Sequence, residues 1–133
     1  MSNSIATGVA YADPEFQTVF ATQQIGYSTA AQGTVTQATD KSTGVTLNTS
    51  AGRITMNGAA LAANTAVSFT LTNNLISSND AIIVNVSGGG TAAAYTTYIS
   101  SMTAGSAVIT LRNLTGGSLS EAVIINYAII HGQ

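Results

Sequence analysis

Between Ala66 and Asn73 the chain alternates strictly: Val67, Phe69 and Leu71 are apolar, and Ser68, Thr70 and Thr72 between them are small and hydroxylated. Successive side chains of an extended strand point to opposite faces, so a period of two sets one face against a core and the other in water. The same period recurs from residue 33 onward in Val45 with Leu47, Ile54 with Met56, and Ile82, Val84 with Val86, and Gly, Asn and Ser divide the segments at hairpin-like intervals. The spacing predicts eight strands: Thr34 to Thr39, Thr43 to Asn48, Gly52 to Asn57, Ala66 to Asn73, Asp80 to Ser87, Ala94 to Ser101, Ser106 to Asn113, and Glu121 to Ile130. That is an all-β chain, read as an antiparallel two-sheet β-sandwich with jelly-roll-like or Greek-key connections over residues 33–133.

Local chemistry refines this picture. Asn57-Gly58 and Gly116-Gly117 are expected to supply the positive φ of tight turns, Gly88-Gly89-Gly90 a looser loop, and Ala59 to Asn64 has room for one helical turn. The last strand is apolar on both faces, with Val123, Ile125, Tyr127 and Ile129 on one and Ile124, Ala128 and Ile130 on the other, which predicts cover on both. Residues 1–32 lack a steady period; Val9, Tyr11, Phe16, Val19, Phe20, Ile25 and Tyr27 are scattered around Asp13-Pro14, giving an extended N-terminal arm. Two of the three Phe residues lie there, an apolar load that has to dock either on a partner or on the chain's own sandwich.

Charge is the second constraint. Lys, Arg, Asp and Glu make up 6% of 133 residues, where a soluble domain of this length carries about 33 such residues. Their place is taken by 14 Ser and 20 Thr while hydrophobic content stays at 45%, so the chain has the means to fold and lacks the signature of disorder. A net charge of -2 gives little repulsion between copies, and charge is depleted where surfaces are buried against partners. Sandwich edges are normally blunted by Lys, Pro or inward charges, yet Lys41 falls in a turn and Pro14 in the arm. The expectation is an assembling subunit; the alternative is a Ser/Thr-coated monomer. Three basic residues are too few to neutralise a nucleic-acid backbone. The longest run rich in apolar residues, Ala122 to Ile130, is too short to span a membrane as a helix, and Met1 to Ser4 has no signal-like character.

Catalytic chemistry has little to work with. Without Cys there is no thiolate, and one His, His131, is too few for an ordinary zinc site, so no metal or other cofactor is expected. Asp13 and Glu15 flank Pro14 on the arm, where no rigid cleft would hold them as an acid/base pair. Asp40 and Lys41 read as solvated turn residues, Asp80 as a turn or cap, and His131 as an exposed imidazole with no orienting partner. Tyr95 and Tyr98 are a candidate stacking pair for sugars, although a spacing of three sends them to opposite faces. Arg53 and Arg112 lie on outward positions of predicted strands, where each is either a solvated side chain or the donor to a carboxylate; Glu121 is nearest by strand order, and the three are taken as inter-subunit candidates.

The stretches Gly33-Thr-Val-Thr-Gln-Ala-Thr-Asp-Lys-Ser-Thr-Gly-Val-Thr-Leu-Asn48, Gly52-Arg-Ile-Thr-Met-Asn57 and Leu111-Arg-Asn-Leu-Thr-Gly-Gly-Ser-Leu-Ser-Glu-Ala-Val-Ile-Ile-Asn126 resemble a family of small tailed-bacteriophage virion proteins. The likeness covers about residues 33–132, and Ala6-Thr-Gly-Val-Ala-Tyr-Ala-Asp-Pro14 is similar to the start of such proteins. The resemblance implies a β-sandwich module without catalytic residues, of the kind found as trimeric head-decoration or cement proteins and in fibres or spikes. Its short length favours decoration: a homotrimer on the capsid exterior, made in the host cytoplasm, whose arm residues Val9, Tyr11, Phe16, Phe20 and Tyr27 would meet the major capsid protein. The other role it allows is a receptor- or glycan-binding head of a tail fibre or spike.

Overall fold

The computed structural model describes residues 15–132. Eight strands form: β1 (Gln32–Thr36), β2 (Val45–Thr46), β3 (Ala51–Thr55), β4 (Ala66–Thr72), β5 (Ala81–Gly88), β6 (Tyr95–Thr103), β7 (Ser106–Asn113) and β8 (Ile124–Ile130). Two four-stranded sheets, ordered β1-β3-β8-β5 and β2-β4-β7-β6, pack face to face as a β-sandwich. A short 3-10 turn, Thr29–Ala31, leads into β1.

The sheets are mixed, where antiparallel pairing was expected: β1 lies parallel to β3, and β2 parallel to β4. The order of connection explains this. From β1 to β6 each strand is followed by one in the opposite sheet, so β1 and β3 run the same way and meet as neighbours. The hairpin β6–β7 keeps two successive strands in one sheet and reverses this parity, so β8 runs against both β3 and β5, and β7 against both β4 and β6. Jelly-roll connections would be antiparallel throughout; here the parallel pairs sit at the β1 and β2 edges.

The core lies between the sheets. Ile54, Met56, Leu71, Ile109, Leu111, Val123, Ile125 and Ile129 are fully enclosed, and Val45, Phe69 and Tyr127 complete the cluster. These are the residues that the period of two assigns inward. Gly52 permits one close contact of that core: a Cβ there would stand 2.5 Å from Tyr127 Cε1 and 2.6 Å from Leu47 Cδ2.

Turn positions differ from expectation. Asn57-Gly58 and Gly116-Gly117 do not adopt positive φ; that conformation falls at Asn64, Gly89, Ala93 and Gly105. The segment after β3 makes no hairpin and no helical turn, since it crosses to the other sheet and is pinned by the bridge Leu61–Leu119. The tight hairpin is instead Thr103 to Ser106, with Gly105 at φ +83°.

The edges are blunted by backbone geometry rather than by charge. Strand β2 has only two residues, and β5 and β6 carry register shifts at Val86/Gly88 and Ile99/Ser101, which bend an edge away from further pairing. Among the four edge strands β1 alone is both regular and longer than two residues.

Candidate partner-binding surface

Every residue from Glu15 to Ala30 is exposed. Phe16 is 69% accessible, Phe20 89% and Ile25 84%, so among the described residues these side chains are left largely in water. The segment is tied down at its root: the Tyr27 hydroxyl donates to the Ile129 carbonyl, and Gln32 Nε2 donates to the Tyr27 carbonyl at 2.9 Å. Val9 and Tyr11, also expected in the arm, lie outside the described residues.

The arm root borders an open cleft of about 460 Å³ against β1, β3 and β8, lined in part by Thr29, Gln32, Thr34, Arg53 and Asn126. Register places Thr34, Arg53, Asn126 and Asn85 side by side across the outer face of the sheet. Two residues along the strands the row becomes Gln32, Ala51, Ala128 and Ile83, and beyond it Ala81 pairs with Ile130. Ile83 and Ile130 are 56% and 55% accessible while Ile124 and Ala128 are half-buried, so among the described residues the outer face of β8, expected to be covered, is covered only in part. On the opposite sheet the hydroxyls of exposed Ser68 and Ser100 are joined through the buried Thr110 at 2.8 and 3.0 Å, and Tyr98 stands exposed beside them.

Arg53 and Arg112 are exposed on the outer faces of the two sheets. Among the described residues the one ion pair is His131 with Asp80, so neither arginine has a carboxylate partner. Glu121 is engaged elsewhere. Its carboxylate accepts from the Thr91 N–H at 3.0 Å, the Thr91 hydroxyl at 2.7 Å and the Tyr95 hydroxyl at 2.7 Å. The Thr91 N–H, followed by the Tyr95 hydroxyl, holds the Glu121 carboxyl below its ordinary range; burial and then Glu121 push the Tyr95 phenol up. The Tyr95 hydroxyl is thus committed inside its own chain, and Tyr95 packs against the core while Tyr98 is exposed.

Lys41 is the largest departure among the charged residues. Expected in water, it is buried, and its ammonium donates to the main-chain carbonyls of Asn57 and Glu121. Burial lowers its pKa, and the nearby Glu121 charge opposes that shift. Asp40 is the solvated turn residue expected, accepting from Ser42 N–H and hydroxyl at 2.8 and 2.7 Å. Asp80 serves as the expected turn residue and more. It accepts from the Ser77 N–H at 2.8 Å, the Ser77 hydroxyl at 3.0 Å and the Gly132 N–H at 3.1 Å, and lies 3.1 Å from His131 Nδ1. His131 therefore has the orienting partner that its place in the sequence did not reveal, because β5 and β8 bring residues 80 and 131 together only in the folded sheet.

These arrangements put three of the five carboxylates, Asp40, Asp80 and Glu121, in bonds within the body. Of the other two, Asp13 lies outside the described residues, and Glu15, in the arm, is exposed and bonded to nothing among the described residues. Free acid lies on the arm and free arginine on the body. Sequence reasoning placed both arginines outward; it missed the cleft beside Arg53 and the exposed Ile83, whose signal was the unbroken apolar run Ala81 to Val84 in β5.

No protein-family model, curated protein or solved structure matches the chain.

Proposed function

We propose that this chain is a non-enzymatic structural subunit of a tailed-phage particle: a head-decoration, or cement, protein. Its sandwiches associate as a homotrimer, and its N-terminal arm reaches the major capsid protein. The observation that carries the reading is the exposed arm, whose Phe16, Val19, Phe20 and Ile25 stay in water among the described residues. Apolar side chains held in water gain stability on meeting a partner surface, and three linked copies would turn weak single contacts into firm attachment. The scarcity of charge, 6% of the residues, supports the same reading.

The test is co-sedimentation with heads of the parent phage assembled without this protein. Full-length chain is expected to pellet with the heads, and a chain lacking residues 1–27 is expected to stay in solution while keeping its sheet spectrum. Equal binding by the shortened chain removes the arm from the interaction; no binding by either removes the decoration role. The hydroxyl-rich outer face around Tyr98 favours one second reading, a glycan-binding head, for which a glycan array that gives no hits is decisive.

A further inference from the structure

We propose that Arg53 and the outer face beside it receive the arm of a second copy, with Glu15 of the incoming arm on Arg53 and Val19, on the same side of the extended arm, over Ile83, which leaves Phe16 and Phe20 on the arm's other side for the shell. This rests on the reading of the chain as an assembling subunit and says which surface of the next copy the arm crosses on its way to the shell.

Charge complementarity is the first argument. The exposed carboxylate of Glu15 and the exposed guanidinium of Arg53 each lack an ionic partner among the described residues, and they occur on separate parts of the molecule. A guanidinium flanked by Thr34 and Asn126 offers a planar fork with neutral polar neighbours, a setting that suits a carboxylate and repels nothing. Geometry is the second. Ile83 lies two strands across and two residues along from Arg53, a diagonal of about 12 Å at ordinary sheet spacings. An extended arm covers ~13 Å between Glu15 and Val19, whose side chains lie on one side of it, so the acid and this apolar group span the two halves of the face together.

The occupant is a second copy because, among the described residues, the chain's own arm leaves this face uncovered: Ile83 and Ile130 are exposed, and so is every residue from Glu15 to Ala30. Tyr27 anchors the root at Ile129, while Phe16, Phe20 and Ile25 stand in solvent. An arm-to-face contact is heterologous, and such contacts close into rings when the rotation between copies allows it, as a trimer requires.

The experiment uses full-length protein. Glu15→Arg and Arg53→Glu are made singly and together, and association is followed by sedimentation velocity over a concentration series. Each single reversal is expected to weaken self-association about tenfold, and the double exchange to restore it. Because the chain has no Cys, Glu15→Cys and Arg53→Cys chains can be mixed and joined with a short bis-maleimide; a linked product of one chain of each kind is expected. Unchanged association in both single variants, or failure of the double exchange to restore it, overturns the contact. A link formed within a single chain carrying both cysteines at high dilution overturns the second copy as occupant. Head binding is read separately: protein that passes the charge exchange yet ignores heads refutes the decoration role and leaves this contact standing.

Discussion

Lys41 Nζ donates to the main-chain carbonyl of Glu121, 80 positions further along the chain, and also to that of Asn57. One ammonium thereby ties the loop between β1 and β2 to the end of β3 and to the entry of β8. Gln37 reinforces the same corner, donating to the Lys41 and Thr43 carbonyls at 3.1 and 2.9 Å and accepting from the Asn57 N–H at 3.0 Å.

Lys41→Met keeps most of the buried stem and removes the donor. Two enclosed carbonyls then lose their partner, a loss expected to lower unfolding stability by about 1–3 kcal/mol in urea titrations. A variant as stable as the parent would mean that the ammonium is not needed to satisfy this corner.

Asp80 predicts the acid limb of stability. Its carboxyl is lowered from 3.8 to about 2, first by the Ser77 N–H and further by Gly132, the Ser77 hydroxyl and His131. A folded-state pKa below the unfolded one gives stability that is complete above 3.8 and is lost as the pH falls toward 2. Thermal midpoints measured across that interval should fall, and Asp80→Asn should make the fall shallower. It will not abolish it, because Glu121 and Asp40 are lowered as well.

Gly52→Ala introduces a methyl group where Tyr127 and Leu47 already stand at 2.5 and 2.6 Å from the Cβ position. The Tyr127 ring cannot retreat freely, because its hydroxyl lies 3.0 Å from the Thr49 carbonyl and 3.2 Å from the Leu47 carbonyl. Overpacking of this kind is expected to destabilise by about 1–3 kcal/mol. Denaturant midpoints for Gly52→Ala beside an exposed control, Gly58→Ala, check it, since nothing approaches Gly58 within 4 Å.

Asn113 is fully buried at the end of β7, and its amide donates to the carbonyls of Leu61, Ala62 and Gly117 while Oδ1 accepts from Thr115. Asn113→Leu leaves the Ala62 carbonyl and the Thr115 N–H without partners and takes one of the bonds from the Leu61 and Gly117 carbonyls, which keep the Leu119 N–H and the Thr115 hydroxyl. A loss of about 2 kcal/mol or more is expected in chemical denaturation, together with faster amide exchange at Leu61 and Thr115.

The alternation of Val67, Phe69 and Leu71 with Ser68, Thr70 and Thr72, and its repetition along the chain, was sufficient to determine eight strands, their inward faces and the two-sheet class. Side-chain period is a local property, readable wherever one face must avoid water. The outward placing of Arg53 and Arg112 followed from the same rule. Tertiary structure alone decided which strands became neighbours, because pairing depends on how connections cross between sheets: the single hairpin at Gly105 reverses the parity that makes β1 and β3 parallel. It also decided the fate of the charged groups. Lys41 could be buried only because two carbonyls from distant loops converge on its ammonium, and Glu121 turned to Thr91 and Tyr95 because β6 and the entry to β8 meet there. Such partners lie far apart in the chain and close in space, so no local pattern announces them.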